Sequence, residues 1–541
     1  MTASTSDSAT QPKAAVPIVA IGASAGGIEA VTELLQHLPS TTGFAFVYVQ
    51  PVSSDRDSRL ADILGRLTNM PVLEAEHLMR VEPNQVYVIP PGQDLEVIDG
   101  VMMTVPRPQS PGLHMPIDVF FSSLADRQKD GAVAVVLSGT DGDGTQGLRA
   151  IKAAGGITFA QDETARFQSM PKSAIAEGVV DQVLPPADIA RELERLSRRI
   201  DWFSQTAGSD KTDDNTAPPL SPSDENIRLI IAHLRRVMGV DFTHYKITTI
   251  HRRIVRRMML FKLDTLAQYV EYLRQHADEV KALYADLLIN VTTFFRDVDT
   301  MDYLRKMLLP QLLREKPPRE PLRIWVPACS TGQEAYSIAM LLIEVMNELQ
   351  ISTSIQIFAT DLSEQAISKA RLGSYSKSEV ADVSPGRLQQ FFTRVEDQYR
   401  INRNIRDLCV FAPHNLFRDP PFSRLHLVSC RNLLIYLDNV LQRKALSTFH
   451  YALNPGGYLL LGKSETVGNS ASLFTPTEKN YKAYVRKNDV ASPALFELQP
   501  VPARPPVAAP PAPPPPPPRR GPRPDRRPDA AEPLRTRERG G

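Results

Sequence analysis

Cysteine is nearly missing from this chain: 541 residues hold only three, Cys329, Cys409 and Cys430. They show neither metal-ligand spacing nor a disulfide framework, which argues against a stapled secreted domain and gives no metal site. An excess of one charge is also lacking, because 62 basic residues face 61 acidic ones. The resulting net charge of +1 supplies no global attraction to nucleic acid or to a membrane surface. No uninterrupted apolar run approaches the ~20 residues that span a bilayer. The opening, MTASTSDSATQPKAAVP, has no charged-then-apolar signal pattern. These absences lead us to expect a soluble cytoplasmic protein without membrane insertion.

What is present divides the chain. Three segments are too polar or too proline-rich to build a core: residues 1–15, a Ser/Thr/Asp/Pro linker over 200–223, and a tail over 491–541. The tail carries Pro513–Pro518 and nine arginines after Leu498. It could serve as a polyproline II or basic contact for partners, or merely as a solubilising segment. Residues 16–199 alternate β-branched runs (VPIVAIG, FAFVYVQ, AVAVVLSG) with helical stretches, the pattern of a doubly wound parallel α/β sheet. Residues 224–290 read as a small all-helical domain. Residues 291–487 return to strands (RIWVPA, IQIFATD, LHLVSC, GYLLLGKSE) with helices between them.

In this last block, RIWVPACSTGQEAYSIAMLLIE runs from a buried strand through a small-residue loop into a helix that opens on Glu334. Twenty-nine residues beyond Gly332 a second strand ends on Asp361, placed to accept hydrogen bonds from two ribose hydroxyls. A glycine loop and a later acid also occur in α/β proteins for packing reasons, so this pair leaves both readings open. LLINVTTFFRD precedes the sheet, and CVFAPHNLF and VSCRNLLIYLD follow it.

Taken together, these five motifs resemble the chemotaxis-receptor methyltransferase family (CheR type) over about 260 residues. The resemblance implies a Rossmann-like sheet binding S-adenosyl-L-methionine, with a small antiparallel subdomain inserted between Ala366 and Pro413. It implies cofactor contacts at Asn290, Thr292, Arg296, Glu334, Asp361, Asn415, Leu416, Cys430, Arg431 and Asn432. Relatives often carry two acids after the loop glycine; here the first is Gln333, so Glu334 is expected to bind. The substrate implied is a glutamate of methyl-accepting chemoreceptor-type proteins. Arg296 is suited to orienting that carboxylate and Tyr436 to lining the transfer site. A domain-interface salt bridge and a half-buried core ring are the respective structural alternatives. Arginines 235, 236, 252, 253, 256 and 257 could steer an acidic helical substrate or form a solvated face. No aromatic-interleaved patch accompanies them, so no nucleic-acid partner is expected.

In the first block, VPIVAIGASAGGIEAVTELL sets Ser24 on a strand–turn–helix, compatible with a nucleophile turn, a phosphate loop or a structural turn. The strand AVAVVLSG leads to Asp143 at the same sheet edge. The ensemble resembles the receptor glutamate methylesterase family (CheB catalytic domain), which makes Ser24 the nucleophile and Asp143 the orienting acid. In that family a histidine follows the glutamine that ends the second strand, but here the position is Pro51. Proline cannot take the serine proton, and loss of a triad base costs orders of magnitude in rate. Only His37, His77 and His114 occur in this block as substitutes. The expectation is a CheB/CheR fusion whose esterase-like part is impaired. The competing reading is a signalling scaffold in which that part and the tail bind partners.

Overall fold

The computed structural model describes residues 16–51, 59–107, 114–128, 131–198, 225–317, 320–396 and 398–488, and every structural statement refers to these. The linker and both terminal segments read from the sequence lie outside them, so the expected tail contacts do too. No helix among the described residues is long and apolar enough to cross a membrane.

The first sheet contains β1 (Ile18–Gly22), β2 (Ala45–Val49), β3 (Val72–Glu74) and β4 (Val86–Val88). A separate hairpin, β5 (Gln93–Ile98) and β6 (Val101–Pro106), follows before β7 (Ala132–Val136), β8 (Ile157–Gln161) and β9 (Gln182–Leu184). The order is β3-β4-β2-β1-β7-β8-β9, and every pairing is parallel. Strands β1, β2, β7 and β8 are buried at every position, because helices cover both faces of the sheet. Their continuous apolar runs are therefore the sequence signature of a two-sided core. The connections reverse direction between β1 and β7, which opens a crevice at the carboxyl ends of these two strands.

Four helices follow: Glu225–Met238, Ile247–Leu260, Leu266–Gln275 and Ala277–Leu287. Their apolar stripes meet in one small core that includes Ile230, Leu234, Ile254, Leu273 and Leu283. The second sheet then begins with β10 (Leu322–Pro327) and β11 (Ile355–Asp361). Next come β12 (Ser374–Ser376), β13 (Phe392–Val395) and β14 (Gln398–Ile401), which form their own antiparallel sheet, the inserted subdomain expected from the sequence. The main sheet resumes with β15 (Cys409–Pro413), β16 (Leu425–Cys430), β17 (Leu453–Leu461), β18 (Phe474–Glu478) and β19 (Ala483–Arg486). Its order is β15-β11-β10-β16-β17-β19-β18, parallel as far as β17 and antiparallel beyond it. Here the winding reverses between β10 and β16. The loops after β10, β11 and β16 therefore converge at one edge.

The basic run on Ile247–Leu260 does not form a solvated or substrate-facing surface as a whole. Arg253 and Arg256 are buried at 3% and 1% exposure. Arg256 is ion-paired with Asp181 of the first domain and with Asp286, and Arg257 is paired with Glu279. These arginines are committed to packing. Arg235 and Arg236 stay exposed, with Arg235 beside Asp241.

Candidate active site

The loop after β10 is bent by three residues with left-handed backbone: Ala328 (φ 54°), Ser330 (φ 51°) and Gly332 (φ 96°). A side chain on Gly332 would place its Cβ 2.9 Å from the Ala370 Cβ, so glycine answers both a conformational and a steric demand there. The two non-glycine residues hold strained conformations of the kind that persist where surrounding structure fixes them, often at functional sites. The turn places the Gln333–Leu349 helix with Glu334 in its first turn.

Asp361, the last residue of β11, accepts the amides of Ser330 (2.8 Å) and Ser363 (2.9 Å). Burial pushes its carboxyl above the usual range, and those two amides pull it partly back. Glu334 accepts the Ser429 hydroxyl at 2.6 Å and lies 3.6 Å from the Arg431 guanidinium. Its pKa is also raised by burial, with Arg431 and Ser429 opposing the rise. Arg431 is fully buried and donates to the Arg296 carbonyl (2.7 Å) and the Asp297 carboxylate (2.6 Å). The Arg296 guanidinium donates in turn to the Val291 carbonyl at 3.1 Å.

These groups surround a cleft enclosing about 1110 Å³, part of it open to solvent. Asn290, Thr292, Arg296, Glu334, Asp361, Leu416, Arg431, Asn432 and Tyr436 all line it. Two positions named from the sequence do not. Cys430 is wholly buried and packs with Trp325 and Val428, because as the last residue of β16 it faces the core while Arg431 and Asn432 turn toward the cleft. Asn415 spends its carboxamide oxygen on the Phe417 amide (3.0 Å) and shapes the turn that presents Leu416.

Other lining residues escaped the sequence reading. Tyr245 and Thr249 reach the cleft from the helical domain, and no local pattern marks them. Ser330 and His414 also line it, although both stand inside motifs already singled out. Glu465 sits behind the wall, accepting the amides of Asn432 (2.9 Å), Gly462 (2.7 Å) and Leu434 (2.6 Å).

The donor set fits S-adenosylmethionine. Two buried carboxylates supply acceptors to a cationic, hydroxyl-rich ligand. The Ser330 hydroxyl, His414 Nδ1 and Arg431 Nε are buried without a protein hydrogen-bond partner in this cleft lining. Groups left so need a ligand or water to satisfy them.

At the β1/β7 crevice, Ser24 Oγ accepts the Thr140 amide at 3.2 Å. Gly139 is required beside it, since a Cβ there would lie 2.7 Å from that oxygen. Asp143 is 1% exposed, and both its oxygens are taken by amides opening the Pro116–Gln128 helix, Ile117 at 3.1 Å and Asp118 at 2.9 Å. Burial lifts its pKa to about 7. The three histidines of this domain bond elsewhere: His37 to the Glu33 carbonyl, His77 to the Thr104 carbonyl and His114 to Asp94 at 2.6 Å. Pro51 is exposed at the end of the strand.

Comparisons with known proteins follow these boundaries. Residues 19–193 match the CheB methylesterase family, 225–288 the CheR methyltransferase all-alpha domain, and 290–483 the CheR methyltransferase SAM binding domain. A 104.1 kDa protein of Rhodobacter capsulatus is 36% identical over 80% of this chain, and the chain spans about half (47%) of that relative's length. Chemotaxis protein methyltransferase 2 of Vibrio cholerae is 33% identical over 44% of this chain and 83% of its own. The crystal structure of the Thermotoga maritima CheB methylesterase catalytic domain is 32% identical, covering 33% of this chain and 98% of that one, with a TM-score of 0.31.

Proposed function

Because the chain belongs to the CheR methyltransferase family, with a CheB methylesterase domain ahead of the methyltransferase domains, we propose that it methylates glutamate side chains of chemoreceptor-type proteins. The observation that carries this reading is the convergence of Arg296, Glu334, Asp361, Arg431 and Tyr436 on one cleft at the β10/β16 crevice.

S-Adenosylmethionine, when bound, supplies an electrophilic methyl group on a sulfonium. Asp361 would hold the ribose hydroxyls, its carboxylate already oriented by the Ser330 and Ser363 amides. Glu334 and the buried polar atoms of Ser330 and Arg431 would complete the cradle. A glutamate acceptor has a reference pKa near ~4.3 and is ionised at neutral pH, so no general base is required. The protein's task is alignment and partial exclusion of water. Arg296 would orient the acceptor carboxylate, and Tyr436 would wall the transfer site; both line the cleft.

Labelled methyl transfer to receptor fragments tests the reading, together with calorimetric titration of the cofactor against wild type and Asp361→Ala. Losing two hydrogen bonds to a charged acceptor, at ~1.5 kcal/mol or more each, should weaken binding by about 100-fold. Absence of cofactor binding in the wild type would sink it.

For the first domain we propose an impaired esterase. Ser24 has an amide contact but no histidine partner, and Asp143 caps a helix instead of orienting a base. Methanol release from a methylated receptor peptide should stay near background. Robust release abolished by Ser24→Ala would mean that another group serves as base.

A further inference from the structure

The cleft lies between two walls, the helical domain and the second sheet, and the esterase-like domain is fastened to both. On the helical side, Arg253 donates to the carbonyls of Lys152 (2.5 Å) and Ala153, at the end of the Thr145–Ala154 helix. One turn further, Arg256 donates to the Gly156 carbonyl at 2.8 Å and pairs with Asp181. Beyond it, Met259 joins the esterase-like core beside Leu193 and Leu196, Arg195 donates to the Met259 carbonyl at 3.2 Å, and Lys262 reaches Glu192 at 3.1 Å. On the sheet side, Arg149 pairs with Glu379 at 3.3 Å, and Lys369 with Glu177 at 2.6 Å. Glu379 is 1% exposed at its side chain, so this second contact is desolvated as well.

The helical-side fastening adjoins the Tyr436 end of the cleft. Thr249 lines the cleft, and Arg253 follows one helical turn later on the same face. The Lys246 amide, which opens this helix, donates to the Tyr436 carbonyl at 2.9 Å, so Tyr436 stands against the same end of the helix as Thr249. In the reading given above, Arg296 orients the acceptor carboxylate and Tyr436 walls the transfer site. A small cofactor needs only the cleft itself, whereas an acceptor glutamate arrives on a folded protein and needs the ground around Tyr436.

We propose that the esterase-like domain is an intramolecular clamp that ties together the two walls of the methyltransferase cleft beside its acceptor side, and that a protein substrate is methylated efficiently only when this interface releases. The clamp rests on the methyltransferase reading given above. It gives the first domain a role that needs neither Ser24 nor a histidine. Its ion pairs at Glu177 and Glu192 are partly exposed at 23% and 17%, so they can be reversed without burying a new charge deeply.

The test is made on the full chain. Glu177→Lys sets a cation against Arg149 and Lys369, and Glu192→Lys sets one against Arg195 and Lys262. The double variant should raise hydrogen exchange in Ile247–Leu260 and speed methylation of a receptor fragment by tenfold or more, with cofactor affinity unchanged. Adding Lys262→Glu to Glu192→Lys alone should restore that pair with its charges exchanged and return the rate toward wild type. An unchanged or lower rate, with cofactor still bound and the helix more exchangeable, overturns the clamp. Unchanged exchange overturns the assignment of these pairs as its fastenings. If the wild type binds no cofactor, the methyltransferase reading fails instead, and the clamp with it.

Discussion

Glu465 shows how much a single buried carboxylate can organise. It is 3% exposed, and its two oxygens collect three backbone amides from the turns that follow β16 and β17. Asn432, which lines the cleft, has a left-handed backbone at φ 62°, a conformation that needs outside support. Glu465 supplies that support, acting through Asn432 and touching no reacting atom. Glu465→Gln keeps the shape but turns one acceptor into an NH₂ donor facing amides. One or two of those amides would then be left buried and unpaired, at ~1–3 kcal/mol each. The expected result is a protein that still folds but binds cofactor about tenfold more weakly, as a shift of Asn432 spoils the wall. Calorimetry of the variant checks this, and Glu465→Asp, which keeps the charge on a shorter arm, should recover part of the affinity. A variant that loses stability but binds normally would show that the clamp on this turn is purely structural.

At the scale of elements, legibility followed locality. The strand–loop–helix units around Ser24 and around Cys329–Gly332 could be read because every cue lies within about a dozen consecutive residues. Buried strand, small-residue turn and amphipathic helix stand in a row there. Asp361 was readable for a similar reason: a strand of alternating burial ends on an acid, and strand ends in a doubly wound sheet point to the ligand edge. The side that Cys430 faces was not legible, because β16 is buried at every position and the turn into the cleft begins only at Arg431. Boundaries of elements are where such register inferences are weakest. Tyr245 and Thr249 were illegible for another reason. They reach the cleft only because the helical domain docks on the sheet, as where Tyr245 bridges Leu437 from a distant part of the chain, with no local mark. The basic run on Ile247–Leu260 combined both cases. Its arginines were obvious, but their destination was not, because the partner acid Asp181 lies 75 positions away.

At the scale of the whole molecule, that same ion pair joins two domains that could otherwise melt apart. Arg256 is 1% exposed and serves both Asp181, from the esterase-like domain, and Asp286, from the helical domain. Burial pushes the Asp181 carboxyl up, but Arg256 and Lys152 outweigh it and leave it below the usual carboxylate range. A depressed folded pKa stabilises the protein above the unfolded value near ~3.9, and the contribution is lost as pH falls through the folded one. The junction therefore holds at neutral pH and gives way only in strong acid. Arg256→Met keeps most of the side-chain volume but leaves two buried carboxylates short of a partner. Breaking a buried pair in this way costs ~3–5 kcal/mol. Lys152, 3.2 Å from Asp181, and Arg257, 3.6 Å from Asp286, hold the cost toward the lower end. Scanning calorimetry should show the wild-type esterase-like and helical domains unfolding together, with Arg256→Met splitting them into two transitions. Asp181→Asn added to Arg256→Met should recover part of the loss by removing one of the stranded charges. A single transition that merely moves to lower temperature would mean that the remaining contacts, those of Arg253, Met259 and Lys262, couple the two domains without the ion pair.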